Sequence, residues 1–190
     1  FAHRGAQLRD PVAAVKPAMP SRKRNGTNDV GIRIWQGNYG NGLITQLAPF
    51  ESSIGWWGIG PPDQPFGRYA RGFEAATGRT DMAFVLDRRL FGGLPLVANH
   101  SLTLILTYLD SPGGVLEILF DAINGCVAAQ SWTTGEGTGR WVRQTMTVSD
   151  GHFGRRCSSK VGGADIVLRS SGTTDMVVHG LEIFDPCKLP

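Results

Sequence analysis

"SLTLILTYLDSPGGVLEILFDAINGCVAAQSW", residues 101–132, is the stretch on which the fold turns. In its first ten residues Leu102, Leu104, Leu106 and Tyr108 fall on one side, and Thr103, Ile105, Thr107 and Leu109 on the other. Successive side chains of an extended strand alternate between faces, so this pattern predicts a β-strand with one buried and one partly covered face. "SPGG" (111–114) then turns the chain into the apolar run 115–121. Asn124-Gly125, the dipeptide of a tight hairpin, turns it again into 126–132.

Outward from this stretch the same texture repeats. Short apolar runs at 31–35, 42–47, 67–74 and 80–87 are broken by glycines and turn residues, and "AATGR" (75–79) predicts a hairpin between the last two. Beyond the glycine loop 133–139, Val142, Met146 and Val148 alternate with Arg143, Thr145 and Thr147. Further strands are predicted at 163–170 and 176–184, on either side of the turn "SGTTD". Roughly ten short strands with no amphipathic helix predict an all-β chain, an antiparallel β-sandwich of jelly-roll type.

The totals agree with that class. A chain of 190 residues can bury a proper core as one domain, and 26 glycines and 11 prolines suit many turns. Charge is unevenly placed. Residues 1–28 hold six basic side chains against Asp10 alone, while the rest holds 13 basic against 15 acidic. We therefore expect an extended basic arm or linker over 1–28 and the sandwich domain over 29–190. The positive charge belongs to the arm, so a nucleic-acid-binding face is not expected on the folded part. No apolar stretch approaches the length of a membrane span. The chain opens on Phe1 without an apolar leader, which reads as a processed or excised piece.

Three cysteines, Cys126, Cys157 and Cys187, form no Cys-x-x-Cys pair, so one disulfide among three possible pairings leaves an odd thiol. Asn25-Gly26-Thr27 and Asn99-His100-Ser101 are acceptor tripeptides for N-glycosylation. Together these features point to a secreted, extracellular, disulfide-bonded glycoprotein.

Four pieces of the chain carry a resemblance: "ATGRTDMAFVLD", "LTLILTYLDSPGGVLEILFD", "GRWVRQTMTVSDGHFGRR" and "GADIVLRSSGTTDMVVHGLEIF". From Arg71 to Asp185 this series resembles the galactose-binding-like, carbohydrate-binding-module β-sandwiches attached to secreted polysaccharide-degrading enzymes. The matching positions are Tyr108 and Asp110, Trp141 through Phe153, and Asp165 through His179. The resemblance implies a jelly roll that binds glycans or supports a neighbouring domain. Modules of this kind often carry a structural calcium, which would draw on Glu74, Asp81, Glu182 and Asp185 near strand ends, with Glu74 and Asp185 the foremost pair. No other cofactor is expected.

A sugar ring has an apolar C–H face that a flat aromatic side chain can match. "SSIGWWGIGPPDQPFG" (52–67) reads as a loop that could present Trp56 and Trp57, with Trp35 and Tyr39 on a second loop. Asn38, Asn41, Asp63 and Arg68 lie beside them in sequence and could pair with sugar hydroxyls. Trp141 and His179, each on an alternating strand, read as core or edge residues. The reading is thus a secreted, non-catalytic carbohydrate-binding domain with a polysaccharide or glycan partner. Two alternatives stand beside it. One is a structural or assembly domain of an extracellular matrix or surface filament, partnered by another extracellular chain. The other is a jelly-roll polysaccharide lyase or hydrolase drawing on Glu117, Asp121, Glu136 and Glu182, or on Tyr39, Tyr69, His100 and Arg68.

Overall fold

A computed structural model of the chain describes residues 29–33, 44–59, 68–87, 100–133 and 137–184. Thirteen strands follow one another: β1 (Asp29–Arg33), β2 (Ile44–Gln46), β3 (Ile54–Ile59), β4 (Arg68–Gly72), β5 (Asp81–Leu86), β6 (His100–Leu109) and β7 (Gly114–Ala122), then β8 (Gly125–Thr133), β9 (Trp141–Gly151), β10 (Cys157–Ser159), β11 (Gly162–Ala164), β12 (Ile166–Gly172) and β13 (Val177–Phe184). A four-residue helix, α1 (Pro49–Ser52), precedes β3, and a 3-10 turn (Ala75–Thr77) precedes β5. The basic arm 1–28 lies outside the described residues.

All strand pairings are antiparallel. Eleven strands form one continuous curled sheet, which folds on itself into two ladders. The first runs β2-β5-β12-β7-β8. The second runs β9-β6-β13-β4-β3, with β1 beside β13. A single bridge, Ala122 to Gly151, joins them. The antiparallel β-sandwich expected from the strand pattern is therefore present.

The core lies between the ladders, and the alternation read in residues 101–109 puts it there. Leu102, Leu104, Leu106 and Tyr108 meet Leu116, Ile118 and Phe120 from β7, Met82 and Phe84 from β5, Ile166 and Leu168 from β12, and Leu181 and Ile183 from β13. Burying each such side chain contributes roughly 1.5–3 kcal/mol, which makes this row the main source of stability. The opposite face of β6 is covered too: Ile105 and Thr107 are buried.

Four local expectations are corrected. Runs 67–74 and 80–87 are not two arms of one hairpin. They meet only at the isolated Glu74–Arg79 bridge, after which β4 joins the second ladder and β5 the first. Phe73 and Met82, just beyond β4 and on β5, both enter the core, and the longer pairings of each arm are made with β13 and β12 rather than with each other. The run 163–170 is broken at Asp165, a buried residue between β11 and β12. The stretch 54–59 is a strand, not a loop: its backbone pairs with β4, Trp56 opposite Ala70, and the register shifts between Trp56 and Ile59. Finally, His179 is buried, as expected of a core histidine, but the strand alternation expected to align it with Leu181 and Ile183 is broken. His179 sits at the irregularity between Val178 and Gly180, where its ring lies 5.7 Å from that of Trp141.

Candidate functional site

The segment "DGHFGRR" (150–156) packs against two buried carboxylates. Asp121, at the end of β7, is fully buried and accepts from Gly154 N (2.7 Å), Arg156 N (3.0 Å) and Arg156 Nε (2.8 Å). Arg156 also reaches the carbonyls of Ile123 (3.2 Å) and Ala122. Asp165, 1% exposed, accepts from Arg155 N (2.9 Å) and, on the other side, from Leu86 N of β5 (2.7 Å). These bonds hold a backbone that is costly in itself. Asp150, Phe153 and Arg155 all have positive φ (58°, 50° and 63°), a region costing a non-glycine residue on the order of 1 kcal/mol or more. The segment also needs Gly163, because a Cβ there would stand 2.4 Å from the Arg155 carbonyl. A disulfide between Cys126 and Cys157 ties the end of the segment to the start of β8, with Cα atoms 4.8 Å apart. Of the three pairings open to the sequence this is the one formed; Cys187 lies outside the described residues.

Burial lifts the Asp165 carboxyl from an ordinary 3.8 to about 6, even against its two backbone donors and the nearby Arg155 charge; Asp121 adds a smaller push upward. Folding therefore favours the protonated form. The stability this adds is fully present below about pH 4 and is lost as pH rises through about 6, roughly 3 kcal/mol in all. Urea midpoints measured from pH 4 to 7 should show the advantage of the wild type over Asp165→Asn shrinking across that window. A constant difference would mean that Asp165 does not titrate there.

The other positions on which the resemblance rests also have structural partners. Asp110 Oδ2 accepts from Thr138 N (2.9 Å) and Thr138 Oγ1 (2.7 Å), fixing the loop before β9. Tyr108 and Phe153 are core residues. The pattern that carries the resemblance is thus a set of fold staples.

The residues proposed for sugar recognition are distributed as follows. The backbones of Trp56 and Trp57 lie on β3, and that of Arg68 begins β4. Trp35, Asn38, Tyr39, Asn41 and Asp63 lie outside the described residues, as do the acceptor asparagines Asn25 and Asn99. By register, position 56 shares the sheet face of Ala70, while the opposite face of β4 carries Arg71. Of the calcium candidates, Glu74 is engaged by Thr77 and Arg79, which hold its carboxyl below the usual range. Asp81 pairs with Arg169 (2.9 and 3.1 Å) and Glu182 with Arg143 (3.3 Å). Asp185 lies outside the described residues. Among the described residues no cluster of three or more His, Cys, Asp or Glu could hold a metal ion. No described helix is long and apolar enough to cross a membrane.

Two features escaped the sequence reading. One is a groove of about 540 Å³ at the open side of the sandwich, between β8 and β9. Its floor is Phe120 and Val148, and its rim includes Asn124, Val127 and Asp150. The other is Arg71, fully buried on the core face beneath α1, where desolvation lowers its guanidinium to about 10, so that it stays charged at neutral pH. An arginine between Ala70 and Gly72 in a strand carries no sign of burial. The only local hint is its cross-strand partner Gly55, which leaves room for a long side chain.

No protein-family model matches the chain. None of the curated proteins matches it significantly. Among solved structures it is similar to a carbohydrate binding module, CBM6cm-2 from Cellvibrio mixtus lichenase 5A, in complex with cellotriose. The likeness covers 75% of this chain and 87% of that one at 10% identity, with a TM-score of 0.30. A score of that size is too low to carry any statement about what this chain binds.

Proposed function

We propose that the chain is a non-catalytic carbohydrate-binding domain of a secreted protein, with β3 and its tryptophan pair as the recognition element. The observation that carries this reading is the placement of Trp56 and Trp57 on β3, the last strand of its ladder among the described residues. Such a strand offers a long chain-like ligand a border to lie along, held on its inner side by the pairing to β4 and interrupted by the register shift between Trp56 and Ile59. A glycan lying along it would meet aromatic area for its C–H faces and hydrogen-bonding groups for its hydroxyls.

Intrinsic tryptophan fluorescence, followed during titration with soluble neutral and acidic polysaccharides, tests the reading, with reducing ends assayed in the same tubes. A saturable shift without product is expected. Trp56→Ala should weaken binding about tenfold or more, the scale of one lost stacking contact, with little change in melting temperature. Release of product would replace this reading by the lyase or hydrolase one.

The assembly reading draws on β8. Between Gly125 and Thr133 this strand holds no charge and no proline, and Val127 is 37% exposed beside the groove. Edge strands without such guards tend to pair with other chains. Concentration-dependent self-association, abolished by Ala128→Lys, would favour that reading.

A further inference from the structure

The turn Pro49–Ser53 is built inside out. Its serines are buried, Ser52 at 3% and Ser53 at 1%, while Phe50 is 69% exposed. A turn that followed solvation alone would do the reverse. The polar side is held from below by a connected set of hydrogen bonds. Arg71 donates from Nε to Ser53 Oγ (2.6 Å) and from Nη2 to the carbonyls of Pro49 (2.6 Å) and Ser53 (3.1 Å). Gln46 Nε2 donates to both serine hydroxyls (3.2 and 3.1 Å), which in turn donate to Leu47 O and Pro49 O. The Arg71 guanidinium also lies 5.3 Å from the centre of the Phe50 ring, within cation–π range. Pro49 fixes the start of the turn, and Ala48 just before it takes a left-handed backbone (φ 39°). A buried cation beside the ring and a left-handed entry residue thus shape a turn that presents one aromatic ring outward.

We propose that Phe50 is a stacking platform for a pyranose ring of a neutral glycan. This rests on the carbohydrate-binding reading above and adds to it a residue and a ligand charge. A ring carried on a turn held by Arg71 and Gln46, with a cation–π contact beside it, has less freedom to lose when a sugar settles on it than one on an untethered loop. Beside it Glu51 is exposed, and the turn contains no basic residue. Glu51 can accept from sugar hydroxyls and repels a carboxylate, so neutral rings are favoured over uronates. The Arg71 charge is turned under the helix, toward the Pro49 and Ser53 oxygens.

The test is calorimetric titration of the full chain with cello- and xylo-oligosaccharides and with an oligogalacturonate. Wild type, Phe50→Ala, Phe50→Tyr and Trp56→Ala are compared, with thermal melts alongside. We expect the neutral oligomers to bind better than the oligogalacturonate. Phe50→Ala should bind about tenfold more weakly at an unchanged or higher Tm, and Phe50→Tyr should keep binding. Binding that Trp56→Ala weakens and Phe50→Ala leaves intact overturns the Phe50 platform while preserving the carbohydrate reading. Tighter binding of the oligogalacturonate overturns the neutral class. No binding of any oligomer by the wild type overturns both readings together.

Discussion

Asp121→Ala is expected to lower the unfolding free energy by about 3–5 kcal/mol, the range for breaking a buried charged pair from one side. The substitution leaves two backbone amides and the Arg156 Nε without their acceptor, at a point where no water can reach the missing carboxylate. It also removes what holds Phe153 and Arg155 in the left-handed region, so the segment should relax outward and take the Phe153 ring from the core. Asp121→Asn keeps one acceptor oxygen and should recover part of the loss. Urea denaturation gives the free energy, and amide exchange over 151–156 locates it. A loss of under about 1 kcal/mol with unchanged exchange would show that the carboxylate does not hold this segment.

Removing the disulfide, as Cys126→Ser with Cys157→Ala, should cost about 3–4 kcal/mol. The cross-link spans a separation of 31 residues, and the chain-entropy relation gives this value for a closed loop of that length. Cys157 is fully buried, so alanine there avoids adding a buried hydroxyl. The disulfide and Asp121 grip the same segment from its two ends. A chain carrying both changes should therefore lose less than the sum of the two, because a segment already released cannot be released again. Strict additivity would mean that the two staples act independently.

The division between what the residues disclosed and what they concealed follows from the range of the interactions. The leucine row of β6 and the Asn-Gly hairpin of β7 and β8 are set by neighbours in sequence, and both were legible. The turn 75–79 has good hairpin chemistry, yet it links the two ladders, because β4 and β5 find their longer pairings with β13 and β12, segments distant in sequence. Asp121 read as one of several candidate carboxylates, and Asp165 as a position inside the predicted strand 163–170. Their burial depends on amides that the chain delivers some 33 and 10 residues later or earlier. Arg71 and Phe50 were illegible for the same reason, since each inverts the usual rule of polar outside and apolar inside. The paired tryptophans stood out by composition, but glycines on both sides masked a strand whose regularity comes from β4.

The order of strands also has a consequence for how the chain is made. β12 and β13, the last two, do not lie at the borders of their ladders: β12 fills the place between β5 and β7, and β13 the place between β6 and β4. Until these segments have left the ribosome, β5 and β7 on one side and β6 and β4 on the other have no common neighbour. The nascent chain then carries the leucine row of β6 without its β13 neighbour while the residues between Leu109 and Val177 are added. Productive folding becomes a late, slow event dominated by distant contacts, and a chaperone that shields apolar strands would raise the yield more than any change on the finished surface.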